Sequence, residues 1–512
     1  MITITSWNRC SFRFLRAPVV EWRPVRGEVA YRVVARSRLN ERVLRATVRE
    51  PRFDFGRWWK ELPVGFVQWA VTAHDRRGRE LDMSHLLSFC KAEDRFVPPT
   101  KRADWLGAVE RNMHWLMTVR GPKLPLPKGE KPPRWGVDRN HDPKLPVWVW
   151  HADMMDHKFL KCANFPPLQW PMLIRLFFEY AETGKDARYR KLCLAYAPML
   201  GRLLRKFSWP ASYRLGGMPA TMIGLGKLGH PPPSARSYST AYTLPSASRT
   251  GSALLLLFAK TGQKEFLDHA LHIATKTLGF QRADGGFPAR VHCRTGKVLC
   301  EFATATIAIV NFFEELAAHR LVERSQRIRF ATSCNRAVDW LLRNPVATNR
   351  WDALFEDMEI MEPYTNMSCF DALDVVRYLA RHADEDRSFL PTAERIHDWV
   401  EDQFVVFGRD DSLKVNPPLP SMYEQYHCPY PMEAHTANWL DTLLALQKAT
   451  GKEIYRQKAL AAANAIVEFQ GADGRFYTFG PDRYLKQSPV RSEWFACNAF
   501  ANWMLLRFAN GR

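Results

Sequence analysis

One unit occurs twice in this chain, and its spacing constrains the fold more than any other feature. Phe258–Pro288 reads FAKTGQKEFLDHALHIATKTLGFQRADGGFP, and Leu446–Gly480 reads LQKATGKEIYRQKALAAANAIVEFQGADGRFYTFG. In both, Thr-Gly stops one helix, because glycine reaches the left-handed region without strain. A second amphipathic helix follows, with Phe266, Ala270, Ile273 and Phe280 on one stripe and Tyr455, Ala459, Ala462 and Phe469 on the other. Each unit closes on an Asp-Gly turn after Gln281 or Gln470. Gly262 to Gly451 and Gln281 to Gln470 share one offset of 189 residues, so both ends of the unit moved together. That pattern predicts a duplicated helical hairpin and hence a repeat architecture. A weaker copy, YAETGKDARYRKLCLAYAPML, begins at Tyr180.

Periodicity predicts helices at 104–117, 166–182, 186–206, 247–261, 264–280, 301–319, 325–346, 366–383, 391–406, 435–449, 453–470 and 492–508. Short links alternate with the long connections 118–165, 207–246, 281–300, 347–365, 407–434 and 471–491. Six antiparallel hairpins closed into a ring put every short link at one end and every long loop at the other. The expected fold is therefore mainly α: an (α/α)6 toroid over 104–512. Long loops in a compact domain are usually functional, so the cleft is expected on their side. Helices entering from those loops, at Pro166, Ala247, Glu301, Asn366, His435 and Ser492, would aim free N–H groups into it.

Ahead of the ring, residues 17–95 read as a small antiparallel β-sandwich. Val29–Ala35 and Phe66–Thr72 are rich in β-branched and aromatic residues, and turn signals bound them. The formal charge is +20, and Met1–Lys60 alone carries 14 Lys/Arg against 5 Asp/Glu. A basic surface concentrates polyanions, so nucleic acid, an anionic membrane and an acidic polysaccharide all come into question; an acidic oligo- or polysaccharide is the expected partner, and neither a membrane nor nucleic acid is expected. No apolar run reaches the roughly 18 residues that span a bilayer. The start shows no readable signal peptide, so a cytoplasmic location is expected. The ten cysteines are scattered without a Cys-x-x-Cys pair, which favours thiols over a disulfide framework.

The long loops interleave aromatic with charged residues, as a surface for sugar rings would. They carry Trp150; Arg236, Tyr238 and Tyr242; Arg290, His292 and Arg294; Trp351, Asp357 and Glu359; Tyr426 and His427; and Arg491, with Glu493 and Trp494 at the helix start that follows. With its Gln-x-x-Asp-Gly turns and preceding sandwich, the chain resembles the (α/α)-toroid carbohydrate-active enzymes, namely uronic-acid-directed glycoside hydrolases and polysaccharide lyases. The order Trp22, Ala30-Tyr31, Leu62–Trp69, Asp75–Gly78 resembles the fibronectin-III-like sandwich that precedes some heparinase II/III-type toroids. Those lyases also carry a C-terminal β-sandwich, whereas here the sequence ends on the helical ANWMLLRF stretch. Terpene cyclases share the helical ring, but no Asp-x-Asp-Asp occurs and the loops are highly charged.

The resemblance implies cleavage of a uronic-acid-containing poly- or oligosaccharide, by one of two chemistries. Hydrolysis needs two carboxyl groups, drawn from Glu493 and Glu301 opposite Glu359 and Asp357. β-Elimination needs a Tyr or His base and a group that neutralises the uronate. Tyr238, Tyr242, His292 and His435 would serve as the former, Asn366 and the arginines as the latter. Trp150, Arg236, Arg290, Arg294, Trp351, Asn366, Tyr426, His427, Arg491 and Trp494 are the expected substrate contacts. The absent C-terminal β-domain and the many loop carboxylates favour hydrolysis. No cofactor or metal is called for, since His292-Cys293 and His427-Cys428 lack short ligand spacing. A non-catalytic basic helical-repeat binder stays open as another class, but the helices lack regular Lys/Arg stripes. Self-association is also left open.

Overall fold

A computed structural model describes residues 1–5, 7, 13–27, 30–92, 96–119, 146, 148, 153–155, 165–221, 241–301, 305–352, 366–406, 420–479 and 492–511. The N-terminal part holds β1 (Ile4–Thr5), β2 (Arg13–Phe14), β3 (Val19–Trp22), β4 (Ala30–Ser37), β5 (Val43–Val48), β6 (Arg52–Asp54), β7 (Gly65–His74), β8 (Glu80–Met83) and β9 (Leu87–Lys91). They form a three-stranded sheet, β1-β3-β6, and a six-stranded sheet, β2-β9-β7-β4-β5 with β8 beside β7. Pairing is antiparallel except between β2 and β9. Alternate residues of β4 and β7 point inward, where Tyr31, Val33, Val67, Trp69 and Val71 meet Val20, Trp22 and Phe53 of the other sheet. One aromatic core thus joins both sheets. Strand pairing begins at Ile4, well before residue 17.

Twelve α-helices follow among the described residues: α1 (Trp105–Thr118), α2 (Pro166–Thr183), α3 (Ala187–Lys206), α4 (Leu244–Thr261), α5 (Lys264–Leu278), α6 (Thr306–Ala318), α7 (Arg324–Leu341), α8 (Phe370–Arg381), α9 (Phe389–Phe404), α10 (Glu433–Thr450), α11 (Glu453–Glu468) and α12 (Phe495–Ala509). The even-numbered helices touch one another in sequence, and α12 packs on α2, so they close a ring. The odd-numbered helices lie outside it, each on the inner helix before it, with α1 on α12. This is the (α/α)6 toroid. The inner helix α6 is apolar nearly all round: Ile307, Ile309, Val310, Phe312, Phe313 and Leu316 are fully buried. Each such side chain contributes about 1.5–3 kcal/mol relative to exposure.

The duplicated unit explains how the ring is stapled. Gly262 and Gly451 cap α4 and α10 at φ 68° and 69°, the left-handed conformation expected of them. Gly285 and Gly474, in the Asp-Gly turns, have φ 99° and 92°. A Cβ there would come 2.2 Å from Arg336 O and 2.4 Å from Arg111 O, so each turn lies flat on the next outer helix. Gln281 Nε2 donates to Gly285 O and Ser333 O, both at 2.9 Å. Gln470 Nε2 does the same to Gly474 O and Ala108 O, at 3.0 and 2.7 Å. The first staple joins α5 to α7, and the second joins α11 to α1, the seam where the ring closes. In the weaker copy Gly184 also ends a helix, but at φ −67°. There the lack of a side chain makes room for the Tyr180 ring, which a Cβ would approach to 2.5 Å.

Every inner helix is entered from a long connection. Short strands tie connections together at one end, Ala241–Thr243 with Arg290–His292 and Asp153–Met155 with Ser492–Trp494, and fold another back on itself, Val405–Val406 with Ser421–Gln425. The N-terminal sheets are moored to the outside of the ring. Arg16 bridges Asp398 at 2.5 Å and Asp402 at 3.1 Å on α9, and Arg350 bridges Glu21 at 2.6 Å.

Candidate active site

At the long-loop end a cavity of about 230 Å³ opens among the N-termini of the inner helices. Its polar lining includes Thr243, Arg249, Asp352, Asp371, Glu424, Gln425 and His435; Phe165, Phe370, Phe479, Trp494 and Phe500 supply aromatic walls. An apolar-walled pocket with a few converging polar groups is what a small polar ligand requires.

The centre is built by the hairpin Ser421–Gln425/Cys428–Pro431, wedged between α8 and α10. Cys369 N donates to Glu424 O at 3.1 Å, and Tyr426 N to Met367 O at 3.0 Å, so the hairpin is locked to the start of α8. Met422 N donates to Thr436 Oγ1 at 3.1 Å, which locks it to α10. Glu424 Oε1 then sits 2.9 Å from His435 Nε2, and its Oε2 accepts from Gln425 Nε2 at 2.9 Å. A carboxylate only accepts, so His435 Nε2 carries the proton. On the other side of the ring, His435 Nδ1 lies 3.6 Å from Cys369 Sγ. Burial pushes the Cys369 thiol well above its ordinary pKa, so it stays protonated and able to donate. His435 thus holds Glu424 through Nε2, while Nδ1 faces the Cys369 thiol, which also lies 3.6 Å from Tyr423 O. Behind them Asn366 Nδ2 donates to Gln425 Oε1 at 2.6 Å, and Asn366 Oδ1 accepts from His427 N at 3.0 Å.

Opposite stands Arg249 of α4. Its guanidinium lies 4.6 Å over the Phe370 ring, 3.5 Å from Asp371 and 3.7 Å from Asp374. Asp352 and Asp371 are 5% and 7% exposed, buried yet open to the cavity. Thr243 Oγ1 is buried without a hydrogen-bond partner among the described residues. It is a hydroxyl that a bound ligand could meet.

Of the residues expected from sequence, His435 and Trp494 line this cavity and Asn366 backs it. Several others lie elsewhere. Glu301 is exposed and does not start α6, which begins at Thr306. The hairpin ladder, with Ala289 N bonded to Cys300 O at 2.9 Å, keeps the backbone extended up to that point. Tyr242, Arg290 and Trp351 are fully buried in the packing. Tyr426 is buried, donates to Gln403 Oε1 at 3.0 Å and stacks on Phe404, and burial raises its pKa far above the ordinary phenol value. His427 is exposed. His292 and Arg294 belong to the hairpin at 290–300, outside the cavity lining. The backbone of Glu493 pairs with Met154, while its side chain lies outside the described residues. Trp150, Arg236, Tyr238, Asp357, Glu359 and Arg491 also lie outside them.

Glu424, Asp371, Asp352 and Arg249 are site residues that sequence reasoning does not single out. A Glu three residues before His427, and an Asp in the first turn of an inner helix, are the available signals. Among the described residues one group has metal-ligand proximity, His397, Asp398 and Glu401. Its lone pairs are already taken: Lys458 Nζ is 2.8 Å from both Glu401 oxygens, Arg16 holds Asp398, and the Trp439 indole donates to His397 Nε2 at 3.1 Å. That cluster is an ion network, not a metal centre. No described helix is long and apolar enough to cross a membrane.

The closed ring with its loop-end cavity is a fold known from solved enzymes. No protein-family model matches the sequence, and no curated protein matches it either. Among solved structures, a family 76 glycoside hydrolase from a bovine Bacteroides thetaiotaomicron strain aligns with TM-score 0.50 and 8% identity, over 100% of this chain and 98% of that one. D-mannose isomerase aligns with TM-score 0.52 and 11% identity, over 80% of this chain and 100% of that one. Cellobiose 2-epimerase from Spirochaeta thermophila DSM 6192 gives 0.52 and 12%, over 81% and 99%. At such identities the likeness is one of fold: the (α/α) toroid that these carbohydrate-active enzymes share.

Proposed function

We propose that the chain is a glycoside hydrolase that cleaves a polysaccharide containing acidic sugars, with Glu424 at its catalytic centre. The observation that carries this reading is Glu424 itself. It is a carboxylate fixed through both oxygens by His435 and Gln425, at a cavity shared with two further carboxyl groups. Glycoside hydrolysis needs one carboxylate as base or nucleophile and one carboxylic acid to protonate the leaving oxygen. Glu424, which accepts two hydrogen bonds and presents its remaining lone pairs to the cavity, takes the first role. Burial favours the protonated form of an acid partner. Asp352, buried and lining the same cavity, is the candidate for that role. His435 is a positioning residue: its Nε2 holds Glu424 and its Nδ1 faces Cys369.

With Asp352 as the uncharged acid, the lining still sets Arg249 against two carboxylates, Asp371 and Glu424, so a carboxylate-bearing ring placed inside would meet net repulsion. The sugar at the scissile bond is accordingly an uncharged one. The acidic part of the reading rests on the charge of +20 rather than on this lining. The test is product analysis on polysaccharides with mixed neutral and uronate units. New reducing ends that vanish in Glu424→Gln support the reading. An unsaturated, ultraviolet-absorbing product would mean elimination, and an epimerised or isomerised sugar without chain cleavage would overturn hydrolysis altogether.

A further inference from the structure

Outside the cavity, the hairpin Arg290–His292/Val298–Cys300 projects from the same end of the ring. Its first strand pairs with Ala241–Thr243, with Thr243 opposite Arg290 and Ala241 opposite His292. Thr243 lines the cavity, so the hairpin leads outward from it to a turn at 293–297. The strand ends at His292, and Gly296 N donates to His292 O at 2.8 Å, so Arg294 is carried on a closed turn beyond the strand. The turn is rigidly seated. Arg214 N donates to Arg294 O and Leu215 N to Cys293 O, both at 3.0 Å, and Arg294 N and Thr295 N both donate to His292 Nδ1 at 3.3 Å.

Aromatic and cationic groups come together on this turn. Tyr213 stacks on Trp209 with centroids 6.1 Å apart and planes 23° apart. The Arg294 guanidinium lies 5.0 Å from the Tyr213 centroid, and its Nη2 donates to the phenol oxygen at 3.0 Å. Lys276 Nζ reaches Arg214 O at 3.1 Å, and Lys297 follows in the turn. Arg214, Lys276, Arg294 and Lys297 make no ion pair with a carboxylate among the described residues. This contrasts with Arg249 in the cavity, which faces two aspartates. A guanidinium stacked on an aromatic ring is already ordered, and its planar fork matches a carboxylate or sulfate.

We infer that this turn is an anionic-sugar subsite. A carboxylate- or sulfate-bearing unit of the polysaccharide docks on Arg294 and Tyr213, with Lys297, Arg214 and Lys276 around it, while an uncharged unit occupies the cavity. The inference rests on the reading of the chain as a polysaccharide-acting enzyme, but its test reads binding and not turnover. Affinity electrophoresis of the full chain would use polygalacturonate, dextran sulfate, unmodified dextran and a single-stranded oligonucleotide.

The double variant Arg294→Ala/Lys297→Ala, both positions exposed, should weaken retention by an anionic polysaccharide about tenfold or more, the scale of a charged hydrogen bond. Its melting temperature should stay unchanged. Arg294→Lys should fall between the two, because it keeps charge and loses the planar stack. Loss confined to polygalacturonate identifies a uronate subsite, and loss confined to dextran sulfate a sulfate subsite. Unchanged retention in the double variant overturns the inference. So does an oligonucleotide held as tightly as polygalacturonate through the same residues. Glu424→Gln should retain full binding, so a failure of the hydrolase reading and a failure of the subsite leave different signatures.

Discussion

The turns at 281–285 and 470–474 are built alike and used differently. Both present a Gln side chain to an outer-helix carbonyl, and both press a positive-φ glycine on the backbone three residues further along that helix. Past the turns the two segments diverge. After the first turn the chain makes the basic hairpin that meets Tyr213. After the second it supplies Phe479 and Trp494 to the cavity. The repeated motif is therefore architecture, and the proposed site draws on residues outside it. A turn residue and a loop residue should then fail in separable ways.

The largest expected effect lies on the loop side. Glu424→Gln preserves shape and removes the carboxylate, so kcat should fall about 10²–10⁴-fold, the scale of acid–base catalysis. The melting temperature should move little. Near-normal turnover in this variant would remove Glu424 from the chemistry and with it the contrast between turns and loops.

On the turn side, Gly474→Ala forces a Cβ to within 2.4 Å of Arg111 O at φ 92°. The backbone term alone costs about 1–3 kcal/mol, and the clash adds to it. Gly285→Ala meets Arg336 O at 2.2 Å and should cost as much. Denaturant titration would show this, with kcat/KM of the folded fraction unchanged. A marked inequality between the two would mean that the seam at α1 is not held like the other joints. Gln470→Ala and Gln281→Ala test the same equivalence more gently. Each removes two hydrogen bonds, worth about 0.5–1.5 kcal/mol apiece, and at the seam Gly474 O still accepts from Asn112 Nδ2 at 3.0 Å.

The same division explains what could be read from sequence. The twelve helices are legible because apolar periodicity, Thr-Gly stops and Asp-Gly turns are local signals, and the 189-residue offset ties two of them together. The site is legible only in outline. Arg249, Asp352, Asp371 and Glu424 come from four separate segments, and each alone resembles an ordinary polar position. Arg249 and Asp371 sit inside helices, where charge usually means a solvated face. The closed ring turns that face inward. Glu301 misleads for the opposite reason, since a carboxylate near a predicted helix start attracts a functional role that an extended strand end does not support.

A smaller effect concerns His435. If it only positions Glu424, His435→Gln retains a donor and should lower kcat by about tenfold or less, with the acid limb of the pH–rate profile unmoved. Loss of that limb would make His435 itself the titrating group.

The smallest effect distinguishes the ring from the sheets moored to it. Burial raises the Asp402 carboxyl to about 7, against the opposing pull of Arg16. Burial lowers His397, one turn earlier on α9, to about 3. The groups around them are Arg16, Asp398, Glu401 and Lys458. The two shifts act in opposite senses. Between its unfolded value of about 3.9 and its folded value, Asp402 binds more proton in the native state, so its contribution declines as pH rises through that window. His397 binds less proton in the native state between its folded value and about 6.5, so its contribution grows as pH rises. In the natural chain they offset each other, and stability should vary little from pH 5 to 7. Asp402→Asn keeps an oxygen to accept from Leu15 N and Arg16 but removes the titration. Its stability should then climb with pH relative to the natural chain's and exceed it at pH 8, with Asp398, which burial also raises, common to both proteins. Parallel pH profiles for the two proteins would show that Asp402 stays ionised, and that the Arg16 mooring is an ordinary ion pair.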